Sequence, residues 1–106
     1  MNVPEIQAEE LKLRLDAGEK LFLLDVRDEH EYEISNIGGH LIPLPELPKR
    51  LHELDARREI VVLCKMGPRG AQAVLILRQA GFKKVKNLSG GIHAWSDRVD
   101  RKVRKY

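Results

Sequence analysis

Short apolar runs alternate with amphipathic stretches along the chain. Leu21-Phe22-Leu23-Leu24-Asp25-Val26 and Glu59-Ile60-Val61-Val62-Leu63-Cys64 lack polar alternation, as strands buried on both faces of a parallel sheet do. Residues 40–42 and 85–88 are shorter strand candidates, and residues 3–6 could supply an edge strand. Between them lie helical patterns. Residues 9–17 place Leu11 and Leu15 on one face and stop at Gly18. Residues 29–35 predict a short helix carrying Tyr32. Leu44, Leu47, Leu51 and Leu54 follow helical spacing, with Pro45 and Pro48 near the start, where proline is tolerated. Residues 69–80 carry Ala73, Val74, Leu77 and Ala80 and end at Gly81, and residues 91–98 carry Ile92 and Trp95. The alternation predicts an α/β fold: a mostly parallel five-stranded sheet flanked by helices on both faces.

A length of 106 residues fits one domain, expected to span residues 1–106. The net charge of +3 resides in residues 97–106, DRVDRKVRKY; the first 96 residues carry 14 basic and 14 acidic side chains. The body also shows no obvious basic stripe, and its four aromatics, Phe22, Tyr32, Phe82 and Trp95, do not cluster among basic residues, so nucleic-acid binding is not expected. The tail reads as a solvated, frayed end, or as a dock for an acidic protein. No apolar run approaches the ~20 residues of a membrane span. The polar, acidic start of the chain does not resemble a secretory signal. The expected compartment is the cytoplasm, where thiols stay reduced. One cysteine rules out an internal disulfide and multi-cysteine metal sites. The four histidines show no metal-ligand spacing, so structural or surface roles are expected for them. No metal or cofactor is expected.

In open α/β sheets, ligands bind beyond the carboxyl ends of the strands. One such end carries Asp25 and Arg27. Another carries Cys64, followed by Lys65-Met66-Gly67-Pro68-Arg69-Gly70 and a helix. A short glycine-containing turn into a helix can aim successive N–H groups inward as an anion nest, and the helix dipole adds partial positive charge. Lys65 and Arg69 add two full charges. Together they favour thiolate and predict Cys64 as a nucleophile. A cysteine phosphatase uses a similar cradle with five residues between cysteine and arginine. Here there are four. The smaller cradle suits one extra sulfur atom on the cysteine better than a phosphate tetrahedron.

At these residues the chain resembles the rhodanese-family sulfurtransferases. The family's Cys-x-x-Gly-x-Arg loop is matched by Cys64–Arg69, its Asp-Val-Arg element by Asp25-Val26-Arg27, and its closing Gly-Gly-x-x-x-Trp by Gly90, Gly91 and Trp95. A Glu-Tyr-x-x-x-x-Ile segment before a glycine turn is matched by Glu31, Tyr32, Ile37, Gly38 and Gly39. The loop, the Asn-Ile-Gly-Gly turn and the Lys-Tyr ending resemble rhodanese domains fused to E1-like adenylyltransferases. The resemblance implies a Cys64 persulfide that carries sulfur from thiosulfate or a protein persulfide to cyanide, a thiol or a carrier protein. It implies substrate contacts from Lys65, Met66, Gly67, Pro68, Arg69 and Gly70. Beside them, Asp25 is expected to pair with Arg27 or Arg69 across the strand ends, and Glu31 with an arginine. A sulfur-carrier or adenylyltransferase protein is the implied partner. Gly70 departs from the usual Ser, Thr or Ala, and Pro68 removes one loop N–H donor. The competing reading is a non-catalytic rhodanese-like interaction module; phosphatase or arsenate chemistry is a third.

Overall fold

A computed structural model describes residues 3–106. Five strands form one sheet: β1 (Glu5–Ile6), β2 (Phe22–Asp25), β3 (His40–Leu41), β4 (Ile60–Leu63) and β5 (Val85–Leu88). Their spatial order is β1-β5-β4-β2-β3, and every pairing is parallel. The "mostly parallel" expectation thus becomes wholly parallel. Four α-helices accompany the strands: α1 (Ala8–Asp16), α2 (Glu29–Ile34), α3 (Pro68–Gln79) and α4 (Gly91–Arg98).

The period of two along β4 sorts the core. Ile60, Val62 and Cys64 join Ala73, Val74 and Leu77 of α3 on one face. Val61 and Leu63 join Ala8 and Leu11 of α1 and Ile92 and Trp95 of α4 on the other. All four residues of β4 are fully buried, which is why this strand shows no polar alternation. α1 carries Glu9 and Glu10 in its first turn and Arg14 in its last, matching the helix dipole. α2 starts on a capping box in which Asp28 accepts from the Glu31 N–H and Glu31 accepts from the Asp28 N–H.

Two expectations are corrected. Residues 44–54 form two 3₁₀ segments, Leu44–Lys49 and Leu51–Glu53, instead of one α-helix. Pro48 supplies no N–H, and in an α-helix its ring would strike the carbonyl four residues back. The leucine spacing still works: Leu47 is fully buried, and Leu44, Leu51 and Leu54 pack against the α3-side core. The basic tail is not a frayed end. Val99, Val103 and Tyr106 pack against the α1/α4-side core. The Ser96 hydroxyl donates to the Val103 carbonyl at 2.6 Å, and the Ser35 hydroxyl donates to the Arg104 carbonyl at 2.7 Å. Among the described residues, no helix is long and apolar enough to cross a membrane.

Candidate active site

β2 and β4 are neighbours whose outgoing connections diverge, β2 towards β3 and β4 towards β5. A crevice opens at such a switch point beyond the strand ends, and it brings Asp25–Arg27 beside Cys64–Gly70. Cys64 follows the last residue of β4 and is 1% exposed. Its Sγ accepts the Gly67 N–H at 3.1 Å and the Gly70 N–H at 3.3 Å. Gly67 is the N-cap of α3, with Pro68 at the first helical position, where a missing N–H costs no helix bond. Among the described residues, the Met66 and Arg69 N–H groups have no protein acceptor. The loop therefore presents two N–H groups to the sulfur.

The neighbouring backbone dictates this orientation. The Cys64 and Lys65 carbonyls accept the Ile92 and His93 N–H groups at 2.8 and 3.1 Å. These are orphan donors of the first turn of α4. Anchoring both carbonyls there turns the opposite edge of the loop towards the sulfur. The approach is so close that a Cβ on Gly91, whose φ is +62°, would lie 2.5 Å from both carbonyl oxygens. On the α3 side, Asn87 of β5 donates its Nδ2 to the Gly67 carbonyl at 3.0 Å. A Cβ on Gly70 would overlap Asn87 Oδ1. The glycine at position 70 therefore leaves room for an amide that braces the loop, while Gly70 itself still supplies a donor to sulfur.

Charge is arranged in a relay beside the loop. Arg69 pairs with Glu31 through two parallel bonds, Nη1–Oε1 at 2.5 Å and Nη2–Oε2 at 2.8 Å, the bidentate geometry of strong pairs. The Tyr106 hydroxyl donates to Glu31 Oε2 at 2.7 Å and accepts from Arg27 Nη1 at 2.9 Å. Arg27, fully buried with Asp25, bonds both carboxylate oxygens and the Glu31 and Ser35 carbonyls. Burial opposes the Arg27 charge, and the bonds to Asp25 and Tyr106 outweigh it, leaving its pKa raised. Lys65 holds its ammonium 4.9 Å from the centre of the Tyr106 ring, a cation–π contact.

Hydrogen bonding from Arg69 draws the Glu31 carboxyl down to about 2, with burial opposing and Tyr106 assisting. A depressed carboxyl contributes stability that is present above its unfolded value, near 4.5, and is lost as pH falls towards 2. Between pH 5 and 2.5 the wild type should therefore lose more stability than Glu31→Gln. The partly exposed pair sets the difference at roughly 1–2 kcal/mol. Urea midpoints of both proteins across that range check it; parallel pH curves would contradict the assignment.

The structure gathers Cys64, Lys65, Gly67, Arg69, Gly70, Asp25, Arg27 and Glu31 at one end of the sheet. Met66 is at the loop surface, 60% exposed. Asp25 pairs with Arg27, and Glu31 with Arg69. Sequence reasoning gave Asn87 no role, and it reached Tyr106 and Gly91 only as parts of the Lys-Tyr ending and the Gly-Gly-x-x-x-Trp motif, with no contact assigned to either. A buried amide in β5 carries no local signal. Gly91 in a Gly-Gly pair before a helix could have been read as a close backbone approach. His93 sets its ring edge-on to Tyr106, 5.7 Å between centroids, and His40 pairs with Glu53. Among the described residues, no group of His, Cys, Asp and Glu is placed to hold a metal ion.

Comparison with known proteins agrees with this geometry. Residues 7–98 match the rhodanese-like domain family. A sulfurtransferase of Allochromatium vinosum is 38% identical over 95 residues, covering 89% of each chain. An adenylyltransferase and sulfurtransferase of maize is 39% identical over 103 residues, which are 90% of this chain and 21% of that protein. A Bacillus subtilis relative, named as a candidate sulfur carrier protein, is 39% identical over 100 residues. The chain spans about half of its length, 54%. A rhodanese-like domain protein of Staphylococcus aureus superposes with a TM-score of 0.84 at 28% identity, covering 97% of this chain and 98% of that one.

Proposed function

Because the chain belongs to the rhodanese-like sulfurtransferase family, we propose that Cys64 is its sulfur-carrying nucleophile, with thiosulfate or a protein persulfide as donor. One observation carries the reading. The Cys64 sulfur receives two backbone N–H bonds, and two further N–H groups of the same loop are left without a protein acceptor. This arrangement supports a place beside Cys64 for an outer sulfur atom and for the anion leaving from it.

In the first step, the Cys64 thiolate attacks the outer sulfur of thiosulfate. A new S–S bond forms, the S–S bond of thiosulfate breaks, and sulfite departs with the electron pair. Lys65 and Arg69 offset the negative charge brought to the loop. In the second step, a nucleophile such as cyanide attacks the outer sulfur, and the electron pair returns to Cys64 as thiolate. The chain contains no second cysteine to resolve the persulfide internally, so an external acceptor takes the sulfur: a small nucleophile, a thiol or a sulfur-carrier protein.

Intact mass spectrometry after thiosulfate treatment tests this. Wild type should gain one sulfur atom, removable by cyanide with release of thiocyanate, and Cys64→Ser should gain none. An unchanged wild-type mass with thiosulfate and with a protein persulfide would sink the catalytic reading. Partner capture unaffected by Cys64→Ser would then favour the interaction module.

A further inference from the structure

Tyr106 lies 42 positions beyond Cys64 in the chain, and its segment packs against the α1/α4 face of the sheet, opposite the face that Cys64 joins. Its ring nevertheless reaches the rim of the loop. The phenol oxygen is the link between the two guanidinium–carboxylate pairs of the site. Arg27 Nη1 donates to it at 2.9 Å, and it donates to Glu31 Oε2 at 2.7 Å. The directions follow from chemistry, since a guanidinium only donates and a carboxylate only accepts. The ring beneath carries the Lys65 ammonium at 4.9 Å and the Arg27 guanidinium at 5.7 Å. Packing alone would be served by phenylalanine. The hydroxyl serves the polar relay.

We infer that Tyr106 is a positioning residue that fixes both cations of the Cys64 loop, Arg69 through Glu31 and Lys65 through its ring. This rests on the sulfur-transfer reading only for its consequence in turnover. The buried Asp25–Arg27 pair is the rigid end of the relay, at 0% exposure for both side chains. Tyr106 passes that rigidity to Glu31 Oε2, while Oε1 accepts the Asp28 N–H at 3.2 Å, and the carboxylate then holds both Nη atoms of Arg69. A dianionic sulfur donor meets a guanidinium already in place, so less ordering is required on binding. Burial first, then Glu31, pushes the phenol pKa up to about 12 against the pull of Arg27. The hydroxyl therefore keeps its proton through the neutral range and stays a donor to Glu31.

Tyr106→Phe keeps the ring and removes the relay. Two readouts test it, one without turnover. In nitrogen-15 spectra of arginine side chains, wild-type Arg69 should show two resolved Nη signals, because both Nη atoms are held. In Tyr106→Phe these signals should broaden and merge. In turnover, the thiosulfate KM should rise roughly 3- to 10-fold, the conversion of one hydrogen bond's net worth, with kcat little changed. Tyr106→Leu, which also removes the platform for Lys65, should raise KM further. Arg69 signals identical in wild type and Tyr106→Phe would overturn the proposal. So would merged signals with an unchanged KM, or a loss confined to kcat in proportion to unfolded protein. If the wild type accepts no sulfur yet the signals merge in the variant, Tyr106 positions Arg69 and the sulfur-transfer reading fails instead.

Discussion

Asp25→Ala is expected to cost about 3–5 kcal/mol of folding stability, the penalty for leaving one partner of a buried ion pair uncompensated. Asp25 Oδ1 accepts the Arg27 backbone N–H at 3.1 Å and its Nε at 2.9 Å, and Oδ2 accepts Nη2 at 2.7 Å. Both residues are at 0% exposure. Without the carboxylate, the guanidinium keeps only the Glu31 and Ser35 carbonyls and the Tyr106 hydroxyl. None of these carries a charge. Domains of this size hold about 5–15 kcal/mol in total, so the variant should be marginal at 25 °C. Asp25→Asn, which keeps an acceptor, should lose less. Urea unfolding at neutral pH checks both, with an unchanged m-value marking a change in stability rather than in compactness. A loss below about 1 kcal/mol would mean that water reaches Arg27 and that the pair is not the rigid anchor described above.

Gly91→Ala is expected to damage the site more than its size suggests. The added Cβ would stand 2.5 Å from the Cys64 and Lys65 carbonyl oxygens, at a φ of +62°. Left-handed backbone costs a non-glycine residue about 1–2 kcal/mol. The overlap adds to this, because two backbone carbonyls cannot swing away as a side-chain tip can. The first turn of α4 must then retreat from the loop, taking with it the bonds that hold those carbonyls away from sulfur. We expect a total loss of about 2–4 kcal/mol and a fall in the rate of sulfur uptake of roughly 100-fold, as for a misplacement of about 1 Å. Gly18→Ala is the control. Gly18 has a φ of +80° with nothing within 4 Å of the added Cβ, so it should show the backbone cost alone and leave uptake untouched. Equal effects at the two positions would assign the Gly91 requirement to backbone conformation rather than to the close approach.

Both effects show where sequence reading stops. Asp25-Val26-Arg27 is visible as a motif, and the sequence leaves Asp25 to pair with either Arg27 or Arg69; the structure selects Arg27. That both side chains would be wholly buried was not foreseeable, because burial depends on Ser35, Glu31 and Tyr106 arriving from elsewhere. Gly91 is visible as half of a Gly-Gly pair, and a turn was the natural reading. Its demand comes instead from backbone 26 and 27 positions earlier. The 3₁₀ segments between Leu44 and Glu53 show a milder case. Leucine spacing announced a buried helical face correctly, while the prolines changed the kind of helix that presents it.

The sequence by itself determined the α/β alternation, the parallel character of the sheet and the cysteine loop. All of these are local: a run of β-branched residues, a glycine-containing turn, a cysteine and an arginine with four residues between them. It also shows that these 106 residues hold a single cysteine, so the persulfide proposed at Cys64 has no second thiol among them to resolve it. The tertiary structure alone decided what surrounds the sulfur. The first turn of α4 turns the loop, Asn87 braces it across the room that Gly70 leaves, and the tail delivers Tyr106 between two ion pairs. These contacts join residues from 17 to 79 positions apart. The energy that closes such long loops comes from packing of the whole core, which offsets their closure entropy, and no periodicity within a short window records which side chains then meet.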